Sequence, residues 1–212
     1  MRHAPSYDCA KCDRLRSFIL EHRACEPSWY NGPVKSFGPA DADVLIVGLA
    51  PGLRGANRTG RPFTGDYAGK VLYDALLRYG LAAGSFLERA DDGLQVDVRI
   101  TNAVRCVPPQ NKPTGAEIRQ CNEFLQSELR DDPSPKIVLA LGRIAHEAIL
   151  RALGLRLKNY HFGHGLCHQL PTGLTLLSSY HFSRYNMNTG RITQSMVDDI
   201  ITTLKGLMYE SS

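Results

Sequence analysis

The chain contains no apolar run close to the roughly 18 residues that a bilayer span requires. Its first residues, Met1-Arg2-His3-Ala4-Pro5, lack the apolar core of a secretory leader. The expectation is a cytoplasmic protein that meets no membrane. Internal repeats and low-complexity tracts are also missing, which excludes solenoids and disordered arrays. No G-x-G-x-x-G is present, so the usual dinucleotide fingerprint is absent. Gly65-Asp66-Tyr67-Ala68-Gly69-Lys70-Val71 has three residues between its glycines where a Walker loop has four, and Val71 replaces the metal-binding Ser or Thr. His146-Glu147 is not followed by a histidine at position 150, which excludes a zinc-protease helix. Acidic residues are slightly outnumbered, 21 against 25 basic ones, and the net charge of +4 leans weakly toward a polyanionic partner.

What is present is ordinary globular material. A length of 212 residues with 43% hydrophobic and 22% charged content fits one domain, expected over residues 1–212. Six cysteines without a leader are not a disulfide framework, because a reducing compartment keeps thiols free. Their spacing is more informative. Cys9 and Cys12 form a C-x-x-C, and Cys106 and Cys121 bracket a second loop; Cys25 and Cys167 are left over. Four thiolates without histidine suit either an iron–sulfur cluster or a structural zinc, with buried unpaired thiols as the plain alternative. His161, His164, Cys167 and His168 also have zinc-compatible spacing, but their Gly/Pro-rich surroundings suit turn and packing roles equally.

Apolar runs punctuated by helix-period segments give the fold. Residues 8–24 read as an amphipathic helix, and the Pro- and Gly-containing stretch 26–43 as irregular chain. Buried strands are expected at 44–49, 96–102, 137–141 and 174–177, the third introduced by Pro133-Ser134-Pro135. Helices are expected near 70–79, 115–129, 144–153 and 193–209. Thr114 followed by Glu117 is a capping-box signature for the second of these. Four strands alternating with helices imply a three-layer α/β/α domain around a four-stranded, largely parallel sheet.

Two stretches carry the chemistry. Gly48 to Gly69 joins a buried strand to a helix through six glycines, two prolines and three arginines, more than a connector needs. In a parallel sheet such a loop lies outside the carboxyl ends of the strands, where ligands bind. The second stretch, Tyr180 to Arg191, leaves the last strand at the same edge and carries His181, Arg184, Tyr185 and two asparagines.

Taken together, Gly48–Gly52, Asn57–Asp66, Thr101–Cys106 and His181–Thr193 resemble the uracil-DNA glycosylase superfamily, in particular its family 5 (B-type) members that carry an iron–sulfur cluster. The resemblance extends from Cys9 to Thr193 and implies a four-stranded parallel sheet, in agreement with the pattern above. It implies that Gly48, Ala50, Gly52, Phe63 and Asn102 form a base pocket, with Phe63 stacking on an extruded base and the Asn102 amide reading its edge. Asp66 is the implied carboxylate for water activation or sugar charge, and His181 the histidine of the second motif. Cys9, Cys12, Cys106 and Cys121 match the ligands of a structural 4Fe-4S cluster. Ala50 stands where related families place Asp, Asn or Glu, as is typical of family 5. The second motif departs from the family's His-Pro-Ser and reads His181-Phe182-Ser183, which removes proline's constraint on the turn.

The expected partner is double-stranded DNA containing uracil, hypoxanthine or other deaminated bases, bound by a monomer associated with the nucleoid. Segment 184–191 is the expected minor-groove wedge, with Arg184 or Tyr185 filling the gap and Arg191 near phosphates. Arg54, Arg58 and Arg61 are expected to add phosphate contacts. Lys70 and Lys112 do not sit where a Schiff-base nucleophile belongs, so a monofunctional enzyme is expected. The competing readings are a catalytically weak damage-binding module and a zinc-dependent α/β binding protein.

Overall fold

The computed structural model describes residues 4–131 and 135–210. Pro133 and Ser134 of the expected strand lead-in, like Met1–His3, lie outside the described residues. In chain order the elements are helix α1 (Asp13–Cys25), strand β1 (Val44–Gly48), short helix α2 (Ala56–Thr59), α3 (Tyr67–Arg78), β2 (Ala82–Ala83), β3 (Gln95–Val96) and β4 (Arg99–Asn102). They continue with α4 (Gly115–Arg130), β5 (Ile137–Leu141), α5 (Arg143–Ala152), β6 (Cys167–Gln169), β7 (Thr175–Ser179), α6 (Arg184–Asn188) and α7 (Gln194–Glu210).

The main sheet has the order β4-β1-β5-β7-β6. The first four strands run parallel, and β6 adds an antiparallel edge. The sheet therefore has five strands, one more than expected. Cys167-His168-Gln169 has no apolar alternation and pairs as an exposed edge, so nothing in its composition marks it as a strand. The stretch expected as one strand over 96–102 is two: β3 pairs with β2 in a separate ladder, and only 99–102 joins the main sheet.

Side chains of β1 and β5 alternate between two cores, as the two-residue period of a strand requires. Val44, Ile46, Ile137, Leu139 and Leu141 face α3 and α7, packing with Leu72, Leu76, Val197 and Ile201. Leu45, Val47, Val138 and Ala140 face α1, α4 and α5, packing with Leu15, Phe124, Leu125 and Ile149. Helix α4 starts where the sequence signature says. The Thr114 hydroxyl accepts from the Glu117 amide at 3.2 Å, and Glu117 Oε2 accepts from the Thr114 amide at 2.7 Å. Arg14 of α1 then grips the same Glu117 carboxylate with two bonds of 2.7 Å, tying the N-terminal helix to α4. Among the described residues no helix is long and apolar enough to cross a membrane.

Candidate active site

The parallel strands β1, β4 and β7 all end at one edge of the sheet, and the functional stretches leave from those ends. Between them lies a pocket of about 320 Å³ whose wall includes Ala50, Gly52, Phe63, Asp66, Asn102 and His181. That volume falls in the lower part of the range for small-molecule sites.

Gly48, the last residue of β1 and expected to line the base pocket, is instead buried behind two residues that do, Phe63 and Asn102. A Cβ there would lie 2.4 Å from Phe63 Cζ and 2.5 Å from Asn102 Oδ1, so the ring and the amide meet over a position that only glycine can fill. Phe63 itself has φ +53°, a left-handed conformation that a bulky residue adopts only when its surroundings hold it there. The holding groups are visible. The Tyr73 hydroxyl donates to the carbonyl of Pro62 at 2.8 Å, and the Phe63 carbonyl presses against Gly69, where a Cβ would lie 1.7 Å from its oxygen.

Asp66 is the N-cap of α3: its Oδ1 accepts from the Gly69 amide at 2.7 Å. Its other oxygen, Oδ2, lies over Gly52 and Gly55, near the positions their Cβ atoms would take. One oxygen is thus anchored by the helix start, and the residue still lines the pocket. His181 follows β7. Burial pushes its imidazole below the ordinary histidine range, and the charge of Asp66 partly opposes the shift. The neutral ring is the favoured form near pH 7. Its carbonyl accepts from Asn186 Nδ2 at 2.8 Å, which locks the turn that follows.

Where the motif lacks proline, Phe182 is fully buried in the core beneath α7. Ser183 then caps α6 by accepting from the Asn186 amide at 3.3 Å. Burial of a ring and a capped helix start replace the stiffness that proline supplies elsewhere. The expected wedge is consequently not an irregular loop: its first five residues form α6, with Tyr185 73% exposed. Arg184 also lines the pocket and covers the Tyr67 ring at 5.3 Å, while Arg191 covers Tyr180 at 5.1 Å.

Arg54 and Arg58 are exposed beside the pocket loop, and Arg58 Nε donates to the Arg54 carbonyl at 3.0 Å. Arg61 is different, and its expected role as a phosphate contact is corrected here. Its side chain is 3% exposed and makes two bonds of 2.7 Å to Asp92, among the rings of Phe37, Tyr73 and Phe86. The guanidinium holds Asp92 well below the usual carboxylate range. A cation so paired has no free donor face to offer a phosphate.

Asn111 lines the pocket without having been singled out by the sequence. It and Gln110 both have φ +56°, in the Pro-rich loop after β4. Asparagine is the non-glycine residue that tolerates this conformation best, but from sequence alone it is one polar loop residue among several.

The four cysteines converge on a second, much smaller cavity of about 20 Å³ on the other face of the sheet, between α1 and α4. All are free thiols. Burial and the neighbouring thiols push Cys106 upward, and burial carries Cys121 to about 11. Among the described residues no three His, Cys, Asp or Glu side chains close tightly enough to chelate a single ion. That includes His161, His164, Cys167 and His168, which serve locally: His164 stacks on Tyr180 and His168 bonds the His161 carbonyl at 2.9 Å. His146 is buried between the Ser178 hydroxyl and the Tyr160 carbonyl, at 2.8 and 3.0 Å.

Residues 35–205 match the family model described as the uracil DNA glycosylase superfamily. The chain is 46% identical over 205 residues to the type-5 uracil-DNA glycosylase of Thermus thermophilus, covering 94% of this chain and 93% of that protein. It is 41% identical over 208 residues to the type-5 enzyme of Mycobacterium tuberculosis, covering 94% and 78%. A type-4 uracil-DNA glycosylase of Archaeoglobus fulgidus is 34% identical over 123 residues, covering 58% and 54%.

Proposed function

The chain belongs to the uracil-DNA glycosylase superfamily, and on that premise we propose that it is a monofunctional DNA repair hydrolase that releases uracil from double-stranded DNA. The observation that carries this reading is the convergence of Phe63, Asp66, Asn102 and His181 on one pocket at the carboxyl edge of the sheet. A base inside a duplex is out of reach, so the nucleotide must turn out of the stack, at a cost of a few kcal/mol. The extruded base stacks on Phe63 and meets the donor and acceptor of the Asn102 amide. Arg184 and Tyr185 of α6 fill the vacated space, and Arg54, Arg58 and Arg191 hold phosphates.

Bond breaking sends the electron pair of the C1′–N1 bond onto the base and leaves cationic character on the sugar. His181, neutral and carrying one N–H, donates to the base oxygen where the negative charge collects. Asp66 Oδ2 faces the developing positive charge and orients the water whose oxygen joins C1′, while the proton that this water gives up ends on the departing base. Preorganised groups of this kind contribute about 2.7–4 kcal/mol each. Ala50 presents only a methyl group to the pocket, and the space this leaves supports a wider substrate range that includes hypoxanthine. One chain supplies every group, so a monomer suffices.

Cys9, Cys12, Cys106 and Cys121 would hold a 4Fe-4S cluster. Four free thiols with no histidine among them line one cavity, a donor set that suits such a cluster. When bound, the cluster supplies cross-links between the segment before α1, the loop after β4 and α4; hydrolysis transfers no electrons.

A panel of duplex oligonucleotides, each with one deaminated base, tests the reading. Uracil release, with no covalent protein–DNA adduct trapped by borohydride, is the expected result; no base release from any duplex sinks it.

A further inference from the structure

Arg105 sits between Val104 and a cluster cysteine, and no step above uses it. Its side chain is 2% exposed, and it lines the thiol cavity together with Cys9, Cys12, Cys106 and Cys121. Arginine keeps its charge in such a place, so a full positive charge lies next to Cys121, one of the four sulfurs that share the cavity.

Among the described residues that charge has only a shared partner. Arg105 Nη2 lies 3.6 Å from Glu128 Oε1, and Nη1 donates to the Ser36 hydroxyl at 2.7 Å. Ser36 in turn contacts the same Glu128 oxygen at 2.5 Å. Glu128, however, already accepts from Arg99 Nε at 2.5 Å and from Arg99 Nη2 at 3.2 Å. Two guanidinium groups share one carboxylate, and neither bonds a second carboxylate among the described residues. These three side chains together carry one positive charge in excess. Excess charge in a buried place costs heavily unless something opposite lies next to it. Lys11 and Arg16 also line the cavity but are exposed to solvent, and Lys11 is paired with Glu123 at 3.1 Å, so Arg105 is the buried cation of the lining.

Two further details point the same way. The Arg105 backbone N–H donates to Cys121 Sγ at 3.3 Å. Its side-chain Nε is buried and has no partner, an uncommon state for a charged donor. Among the described residues Arg105 thus lacks one acceptor and shares its one carboxylate, and the cavity it lines is ringed by groups that become thiolates when they bind metal.

We propose that Arg105 is the built-in counter-charge of the thiolate centre: with Arg99 and Glu128 it balances the negative charge of the four-thiolate cluster and donates to its sulfur through Nε. This rests on the cluster reading given above. It makes Arg105 a positioning residue that sets the electrostatic level of the cluster without touching substrate.

Reduction of the cluster adds one electron, so a nearby positive charge raises the reduction potential and its removal lowers it. The experiment is a dithionite titration of the purified full-length protein with mediator dyes, read by visible absorbance and electron paramagnetic resonance. Arg105→Gln is expected to lower the potential and Glu128→Gln, which removes the negative partner, to raise it; Arg105→Lys falls between parent and Arg105→Gln. Opposite shifts from two neighbouring substitutions are not produced by loosened packing. Unchanged potentials, or shifts in one direction, overturn the proposal. If Arg105→Gln loses its cluster, Glu128→Gln decides alone: a higher potential supports the assignment, and an unchanged or lower one overturns it. Loss of the cluster from both variants alike also overturns it, because charges of opposite sign are then not the cause. A parent protein that holds zinc and no iron removes the cluster reading and this proposal together, while retained uracil release leaves the glycosylase reading standing.

Discussion

The pocket at the sheet edge and the cysteine site behind the sheet are built from neighbouring residues, since Asn102 and Cys106 are only four positions apart. They are nonetheless opposite in design. The pocket is roomy, about 320 Å³, and its shape comes from strained or cramped backbone at Phe63, Gly48 and Gly69. The cysteine site is about 20 Å³ and comes from packed helices and buried charge. A pocket whose occupant comes and goes must keep its shape when empty, and stiff backbone does that. If the cysteine site holds the proposed cluster, its thiols and guanidinium can stay incompletely matched in the protein alone, because the occupant completes them. The contrast separates recognition from architecture.

Removing a proposed cluster ligand should have the largest effect. Cys106→Ser is expected to abolish the visible colour and to cost on the order of 4 kcal/mol, a fall of roughly 8–16 °C in Tm for a chain of this size. Absorbance and a thermal melt on the same sample check it. An unchanged melt with the colour gone would remove the architectural role.

Gly48→Ala attacks the pocket instead. The added methyl collides with Phe63 and Asn102 together, so base release should fall about 100-fold through misplacement of both groups. The cost in stability should be only about 1–3 kcal/mol. Single-turnover release and a urea titration read the two effects. A large stability loss with normal release would mean that the contact serves the core and not recognition.

The smallest effect separates two arginines that look alike in sequence. Arg58→Gln should reduce the slope of log K against log salt for DNA binding by about 0.9, the loss of one phosphate contact. Arg61→Gln should leave that slope unchanged and lower Tm, because Arg61 is spent on Asp92. Equal slopes for both variants would return Arg61 to the DNA surface.

The difference between Arg58 and Arg61 also shows where reading the sequence stops. Strand and helix order followed from apolar runs and from the Thr114–Glu117 cap, because those signals are local. Phe63, Asp66, Asn102 and His181 meet in one pocket because their motifs keep order along the chain, and parallel strands bring motif ends to one edge. Partners distant in sequence were not legible. Asp92 lies 31 residues from Arg61, and Glu128 lies 29 residues from Arg99, in stretches with no pattern that links them. Strand β6 was missed because an exposed three-residue edge carries no hydrophobic period. Asn111 was missed because its left-handed backbone, and not its residue type, turns it toward the pocket.

The central claim is that Asp66 and His181 do the chemistry that the pocket prepares. The direct measurement is single-turnover uracil release from a duplex by the parent, Asp66→Asn and His181→Asn, with duplex affinity measured alongside. The account predicts a loss of about 100- to 1000-fold in release for each variant, with duplex affinity kept within a few fold. Release at the parental rate from either variant, with binding intact, would contradict it.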